Sequence, residues 1–299
     1  MGVDVGGTKL EAAVLDASGA IVTRRRIATP PAYDAALTAL TGLVTAMEQE
    51  VGARCNVGFG IPGAISPATG LVKNAYNSPF VGQPLDRDLE KRLGRPIRVM
   101  NDANCFALSE AVDGSARGAR VVFGVILGTG CGGGIVVDGA PLTGVNAIAG
   151  EWGHNPLPWA EADERPGRTC SCGKQGCIET FLSGTGFAAH HNAAHGTALE
   201  AHEIVERAEA GEAAAAASLA RYEDRLARAL AGVINLLDPD VIVLGGGMSK
   251  TATLYDRVPR LWGRWIFSDR VDTRLLPPRF GDSSGVRGAA WLWPPAAET

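Results

Sequence analysis

The stretch GVDVGGTKLEAAVLDASGAIVTRRRI, residues 2–27, decides the fold. Residues 2–5 read as a strand, Gly6-Gly7 as a turn and residues 10–15 as a second strand. Asp16-Ala17-Ser18-Gly19 is another turn, and residues 20–27 are a third strand. A second stretch, VVFGVILGTGCGGGIVVDGA at residues 121–140, repeats the plan. Residues 121–127 form a buried strand, the glycine-rich run follows, and residues 134–137 form a strand closed by Asp138-Gly139. Gly6-Gly7-Thr8 and Gly128-Thr129-Gly130 therefore occupy matching places, each joining two strands.

Outward from these hairpins the chain alternates. Residues 34–51 read as a helix with Leu37, Leu40, Val44 and Met47 on one face. Residues 56–61 form a strand stopped by Pro62-Gly63, residues 86–93 a short helix, and residues 96–100 a strand leading into a helix at 102–112. Beyond the second hairpin, residues 161–196 are loop-rich. Helices follow at 198–209 and 212–237, then a strand at 241–244 ending in Gly245-Gly246-Gly247, and a final helix at 283–293. A hairpin with a later strand-to-helix partner in each half argues a weak internal duplication. The alternation predicts an α/β fold of two similar lobes with a cleft between them. The chain's 299 residues suit two domains. Glycines at 114–118 mark the boundary, giving a small lobe of 1–116 plus 286–299 and a large lobe of 117–285.

Composition excludes several classes. Hydrophobic residues make up 46% and charged residues 20%, so the chain is globular rather than disordered. The net charge is −4 and no basic block exceeds Arg24-Arg25-Arg26, which argues against a nucleic-acid partner. No apolar run approaches the ~18 residues of a membrane span, so no membrane partner is expected. The N-terminus shows no secretory pattern, and Gly6 stands where a myristoylation signal needs Ser or Thr. A cytoplasmic location is the expectation.

Gly128, Gly130 and Gly133 spell GxGxxG, but a dinucleotide turn must open a helix, and a strand follows here. The P-loop pattern is absent. Two glycine hairpins at equivalent places instead suggest a nucleotide held by backbone N–H groups. Asp4, in the strand before the first turn, is placed to hold a hydrated Mg²⁺ or to accept from turn amides. Asn101-Asp102-Ala103-Asn104 follows a strand and opens a helix. Its Asn and Asp suit an N-cap, and its carboxylate stands where an α/β enzyme places a base.

Of the six cysteines, Cys55, Cys105 and Cys131 are isolated and read as small buried hydrophobes. Cys170, Cys172 and Cys177 cluster, and His154 lies 16 positions upstream. One imidazole and three thiolates make the Cys₃His set of a structural zinc site. His190, His191, His195 and His202 lie on polar stretches and are expected to be solvated. Glu151 and Glu179 flank the cysteine loop; by themselves they read as surface charge, and if a metal fixes the loop they become paired acceptors that suit a polyhydroxyl ligand. Because the nucleotide turns lie elsewhere in the chain, loss of the metal is expected to weaken the ligand held by these carboxylates more than the nucleotide.

VDVGGTK, NDAN, GTGCGGG, AGEWGH, CSCGKQGC and VIVLGGG, in this order over nearly the whole chain, resemble the ROK family of bacterial sugar kinases. The resemblance implies the two-lobed fold of actin and hexokinase, a duplicated ribonuclease-H-like architecture with an interlobe cleft and a zinc-bound loop. The runs GIPGAISP, LVKNAYNS, DPDVIVLGGGMS and GDSSGVRGAAWLW look most like bacterial fructokinase of the manno(fructo)kinase type. The implied activity is ATP- and Mg²⁺-dependent phosphorylation of a hexose, most simply O6 of fructose. By similarity Asp102 is the base and Asn101 a sugar contact, while Glu151, His154 and Glu179 bind sugar hydroxyls. His154, Cys170, Cys172 and Cys177 hold zinc, so His154 can serve the sugar only through its other ring nitrogen. Asp4, Gly6, Gly7, Thr8, Lys9, Gly128, Thr129, Gly130, Cys131, Gly132, Gly245, Gly246 and Gly247 surround ATP. A homodimer is implied as well. Glucose, mannose and N-acetylglucosamine remain alternative sugars. A sugar-sensing regulator of the same family is disfavoured, because the first turn at Gly6 leaves no room before it for a helix-turn-helix.

Overall fold

The computed structural model describes residues 1–75 and 78–293. Tyr76, Asn77 and residues 294–299, the last part of the expected small lobe, lie outside the described residues. The chain divides into two compact units. The first comprises Met1–Arg117, Gly134–Ala149 and Asp282–Thr299, and the second Gly118–Gly133 and Gly150–Gly281. Among the described residues no helix is long and apolar enough to cross a membrane.

In the first unit β1 (Gly2–Val5), β2 (Lys9–Leu15) and β3 (Ile21–Ala28) run antiparallel. After α1 (Tyr33–Val51) come β4 (Gly58–Ile61), the small pair β5 (Ala64–Ile65) and β6 (Val72–Lys73), α2 (Leu85–Leu93), β7 (Arg98–Asn101) and α3 (Asp102–Val112). The sheet order is β3-β2-β1-β4-β7, with β1, β4 and β7 parallel. Leu37, Leu40, Val44 and Met47 of α1 are buried in one core with Val3, Val5 and Leu10. Gly52, in the left-handed region at φ 66°, ends α1 and donates to the Glu48 carbonyl.

The second half repeats the order. β8 (Val121–Leu127), β9 (Cys131–Val137) and β10 (Ala140–Pro141) are followed by α4 (Glu179–Leu182), α5 (Gly184–His195), α6 (Ala201–Glu209) and α7 (Ala213–Leu237). Then come β11 (Val241–Gly245), α8 (Leu254–Trp262), β12 (Arg274–Leu276) and α9 (Ser284–Trp291). The sheet order is β10-β9-β8-β11-β12, with β8, β11 and β12 parallel. Three consecutive strands on one side and two later parallel strands on the other recur in both sheets, which is the duplication the hairpins suggested.

Three expectations change. Residues 161–196 are not mainly loop, because α4 and α5 occupy 179–195. Glycines hid α5. A Cβ at Gly186 would stand 2.6 Å from the Thr180 carbonyl oxygen, so packing demands glycine where propensity disfavours it. The Ser183 hydroxyl accepts from Gly186 N at 3.0 Å and caps the helix. Strand β9 begins at Cys131 rather than at Gly134, so Gly132 and Gly133 are strand residues rather than turn. Cys105 and Cys131 are buried as expected, whereas Cys55 is half-exposed at the edge of the core.

A buried ion cluster anchors residues 155–169 in the second unit. The fully buried Glu164 accepts from Arg225 Nε at 2.7 Å and from both terminal nitrogens of Arg228 at 2.9 Å. Burial opposes its ionisation, but hydrogen bonds from Arg228 and Arg225 prevail and hold its pKa at about 2.

Helix α9 meets the first unit backbone to backbone. A Cβ at Gly288 would lie 1.6 Å from the Cys105 carbonyl oxygen of α3, and one at Gly2 would lie 1.9 Å from the Val286 carbonyl oxygen. A Cβ at Gly42, inside α1, meets nothing within 4 Å. Gly288→Ala should therefore cost at least ~2 kcal/mol in urea unfolding, while Gly42→Ala should gain ~0.5–1 kcal/mol. Equal midpoints for the two variants would contradict this packing.

Candidate functional site

In the first unit, Asp102 is the first residue of α3 and Asn101 its cap. The Asn101 Oδ1 accepts from Ala103 N at 3.0 Å and Asn104 N at 3.2 Å, and its Nδ2 donates to the Gly63 carbonyl at 3.1 Å. The carboxamide is thus occupied at both ends and fixes the start of α3 against the Pro62-Gly63 turn. Asp102 Oδ1 accepts from Ala103 N at 2.8 Å. A carboxylate at a helix N-terminus is stabilised as the anion, the form a base needs.

Asp4 lies on β1 opposite Glu11 of β2. Burial, then repulsion from Glu11, raises its pKa to about 6, with Lys9 and Arg26 opposing. A carboxylate so placed favours a nearby cation. The first glycine turn is tight. Gly6 N donates to the Lys9 carbonyl at 2.9 Å, so its amide closes the turn, and Gly7 and Thr8 stay exposed.

In the second unit the turn at 128–131 is held from two sides. Gly128 N donates to the Gly130 carbonyl at 3.0 Å, and Cys131 N donates to Glu179 Oε2 at 3.0 Å. On the other side, Trp152 Nε1 donates to the Gly132 carbonyl at 3.0 Å, and a Cβ at Gly153 would stand 2.1 Å from the Cys131 carbonyl oxygen. Gly132 and Gly133 thus give room to Trp152 and its neighbours. Gly246, at φ 79°, would carry a Cβ 2.5 Å from the Leu127 carbonyl oxygen, so the third glycine run packs directly behind the turn.

Beside these turns opens a cavity of about 970 Å³, lined by Gly128, Thr129, Thr185, Asn192, His202 and Lys250 among others. Its size suits a nucleotide-sized ligand. Residues from α5 and α6 form one wall, which the sequence reading missed with α5 itself. The Ser183 cap three residues before Gly186 was the available signal.

His154, Cys170, Cys172 and Cys177 converge, with their ligand atoms all within 4.8 Å of one another. Cys170 Sγ lies 3.5 Å from His154 Nδ1, and Cys172 Sγ lies 3.6 Å from Cys177 Sγ. A tetrahedral ion with bonds of ~2.3 Å to sulfur and ~2.0 Å to nitrogen has edges of roughly 3.5–3.8 Å, which these pairs match. A donated hydrogen bond from the Lys174 backbone leads the factors that lower the Cys172 pKa to about 7, the direction a thiolate ligand needs. The His154 Nε2 points elsewhere, 4.0 Å from Glu151 Oε2. The two ring nitrogens therefore face different partners, and both carboxylates that flank the loop are half-buried beside it.

The profile of the ROK family matches residues 1–296. The chain belongs to the ROK family. It is 42% identical over 305 residues to the N-acetyl-D-glucosamine kinase of Pectobacterium carotovorum, covering 97% of each chain. It is 42% identical over 300 residues to that of Escherichia coli, covering 97% of this chain and 98% of the other. Among solved structures, the ROK hexokinase of Thermus thermophilus superposes with a TM-score of 0.86 at 29% identity, covering 97% of this chain and 95% of that one. The ROK family glucokinase of Streptomyces griseus, in complex with glucose and AMPPNP, gives 0.80 at 30% identity and 97% of each chain. The fructokinase type is thereby corrected, since the relatives bear another sugar's name. Of the runs quoted for it, residues 60–67 span the end of β4 and β5, residues 238–249 lead through β11, and residues 281–293 carry α9.

In this ROK chain the histidines of α5 are not all solvated. His191 is buried, with Nδ1 2.8 Å from the Ser218 hydroxyl, and His190 stacks on Phe181 at 4.9 Å. Burial lowers the His190 pKa to about 4, with Arg225, Arg168 and Arg221 adding to the effect and Glu164 opposing it. Above pH 6.5 the group is neutral in both folded and unfolded chains and has no effect. Between pH 6.5 and about 4 the unfolded chain takes a proton that the folded chain refuses, so stability falls with pH. His190→Phe should flatten that part of the stability profile, read by urea unfolding at pH 7, 6 and 5. An unchanged slope would remove His190 as its cause.

Proposed function

We propose that this protein phosphorylates N-acetylglucosamine at its O6 hydroxyl with ATP. The observation that carries the reading is the 42% identity, over 97% of the chain, to relatives named for that activity. Asp102, anchored by the α3 N-terminus, takes the proton of the attacking hydroxyl and passes it to solvent after transfer. Phosphoryl transfer needs mainly positioning and charge stabilisation, and the chain supplies both. Glu151, Glu179 and His154 Nε2 accept from or donate to sugar hydroxyls, and the turn at 128–131 with the cavity of the second unit takes the nucleotide.

Two ions belong to this reading. His154, Cys170, Cys172 and Cys177 hold a structural Zn²⁺, supported by the tetrahedral spacing above; it fixes the loop and takes no part in the transfer. Asp4 holds a hydrated Mg²⁺, supported by its place on β1 immediately before the first glycine turn. When bound, Mg²⁺ offsets phosphate charge. Glucose is the second reading, supported by the 30% identity to the Streptomyces griseus glucokinase.

A coupled ADP-release assay over N-acetylglucosamine, glucose, mannose and fructose tests the sugar. N-Acetylglucosamine should lead in kcat/KM by about tenfold or more, a margin that polar contacts to one substituent readily supply. Glucose or fructose in the lead would overturn the assignment. Asp102→Asn should keep fold and nucleotide binding and lose roughly 10²–10⁴-fold in kcat, because Asn cannot take the proton. Retention of more than about a third of kcat would exclude Asp102 as the base.

A further inference from the structure

The turn at 128–131 takes much of its support from one short segment, the one that leaves the cysteine loop. Cys131 N donates to Glu179 Oε2 at 3.0 Å, Gly184 N donates to the Gly128 carbonyl at 2.7 Å, and the Thr185 hydroxyl donates to the Thr129 carbonyl at 2.7 Å. Gly130 completes the fit, since a Cβ there would stand 2.9 Å from Glu179 Oε2. Every residue of the turn thus touches residues 179–185, although Cys131 and Glu179 lie 48 positions apart in the chain.

That segment is internally braced. The Ser183 hydroxyl donates to the Glu179 carbonyl at 2.8 Å and accepts from Gly186 N, which ties α4 to α5. The Leu182 carbonyl accepts from the buried Tyr222 hydroxyl at 2.9 Å, and Phe181 and Leu182 are fully buried. At its other end the segment grows out of the metal-type cluster. The Cys177 carbonyl accepts from Thr180 N at 2.9 Å and from the Thr180 hydroxyl at 2.7 Å, while Ile178 N donates to the Asn155 carbonyl beside His154. Ser171, inside the cysteine loop, donates to Glu179 Oε1 at 3.3 Å.

We propose that residues 177–185 are a strut that sets the shape of the nucleotide turn from the Cys₃His loop, with Thr185 as its positioning residue. This rests on the reading of 128–131 as the turn that receives ATP. Thr185 also borders the cavity, but its hydroxyl is spent on the Thr129 carbonyl, so it orients the turn. Distance along the chain led to the expectation that losing the metal weakens sugar binding more than ATP binding; through this strut the nucleotide turn is tied to the loop as well. Glu179 joins loop and turn through its two carboxylate oxygens.

AMPPNP binding to the purified, metal-loaded protein, followed by calorimetry with Mg²⁺ present, tests the strut. Thr185→Val deletes the hydroxyl that bonds the Thr129 carbonyl and lies 3.0 Å from the Ser183 hydroxyl, and should raise the AMPPNP Kd roughly three- to tenfold. The sugar KM should stay within about twofold, as expected when only nucleotide positioning is lost. Thr185→Ser keeps the hydroxyl and should restore the wild-type Kd. Cys172→Ala should lose its metal, read by mass spectrometry, and also raise the AMPPNP Kd. Wild-type Kd in Thr185→Val, or in metal-free Cys172→Ala, overturns the strut, as does a Ser variant as weak as Val. The Thr185 pair decides the matter where Cys172→Ala does not fold. Wild-type protein that fails to bind AMPPNP overturns the nucleotide reading of the turn itself, and the strut with it.

Discussion

No side chain can stand at Gly153. The 2.1 Å that a Cβ would leave to the Cys131 carbonyl oxygen is far inside contact distance, so the backbone of residues 150–154 lies directly on β9. Gly133 repeats the condition from the other partner, with a Cβ 2.7 Å from the Gly150 carbonyl oxygen and from Trp152 Cδ1. This contact lets the Trp152 indole reach the Gly132 carbonyl and seats its ring edge-on against Phe123 at 5.5 Å. With Trp152 fixed, Glu151 and His154 leave the short helical turn in set directions. The cysteine loop closes on one nitrogen of His154, and Glu151 faces the other. The arrangement of the second unit's polar groups follows from two missing side chains.

The carboxylates of the site are governed by different neighbours, and their chemistry differs accordingly. Asp102 and Glu179 accept from backbone N–H groups, which fix the direction of each carboxylate. Asp4 faces burial and a like charge, which works against the anion unless a cation arrives. Glu164, with two guanidinium groups, is permanently ionised and holds the chain between His154 and Cys170 to α7. Carboxylates on different elements thus meet amides, guanidinium groups or a like charge, and each is held accordingly.

Much of this was legible in residues 2–27 and 121–140, where alternation and turn chemistry are local. The Cys₃His set was legible as well, since its residue types admit few other uses. The glycines were not. Gly128 and Gly130 belong to the turn, whereas Gly132, Gly133, Gly134 and Gly186 make room for neighbouring chain. A sequence records that a side chain is missing without recording what occupies its place. Helix α5 was hidden for the same reason, and the buried His191 with it, because burial depends on α7 rather than on neighbours in the chain.

The first unit is assembled from three separate pieces of chain, and the last of them carries α9. Gly2 and Gly58, near the beginning, are shaped to receive Val286 and Ala289, near the end. During synthesis the seat of α9 in the first unit therefore stays open until residues 284–291 have followed the whole of the second unit. The second unit has no such dependence on the last 18 residues and can close earlier. The order of folding thus runs against the order of the chain, because contacts of such high sequence separation form late. Until then Gly2 and Gly58 face no neighbour where the Val286 and Ala289 carbonyls will lie.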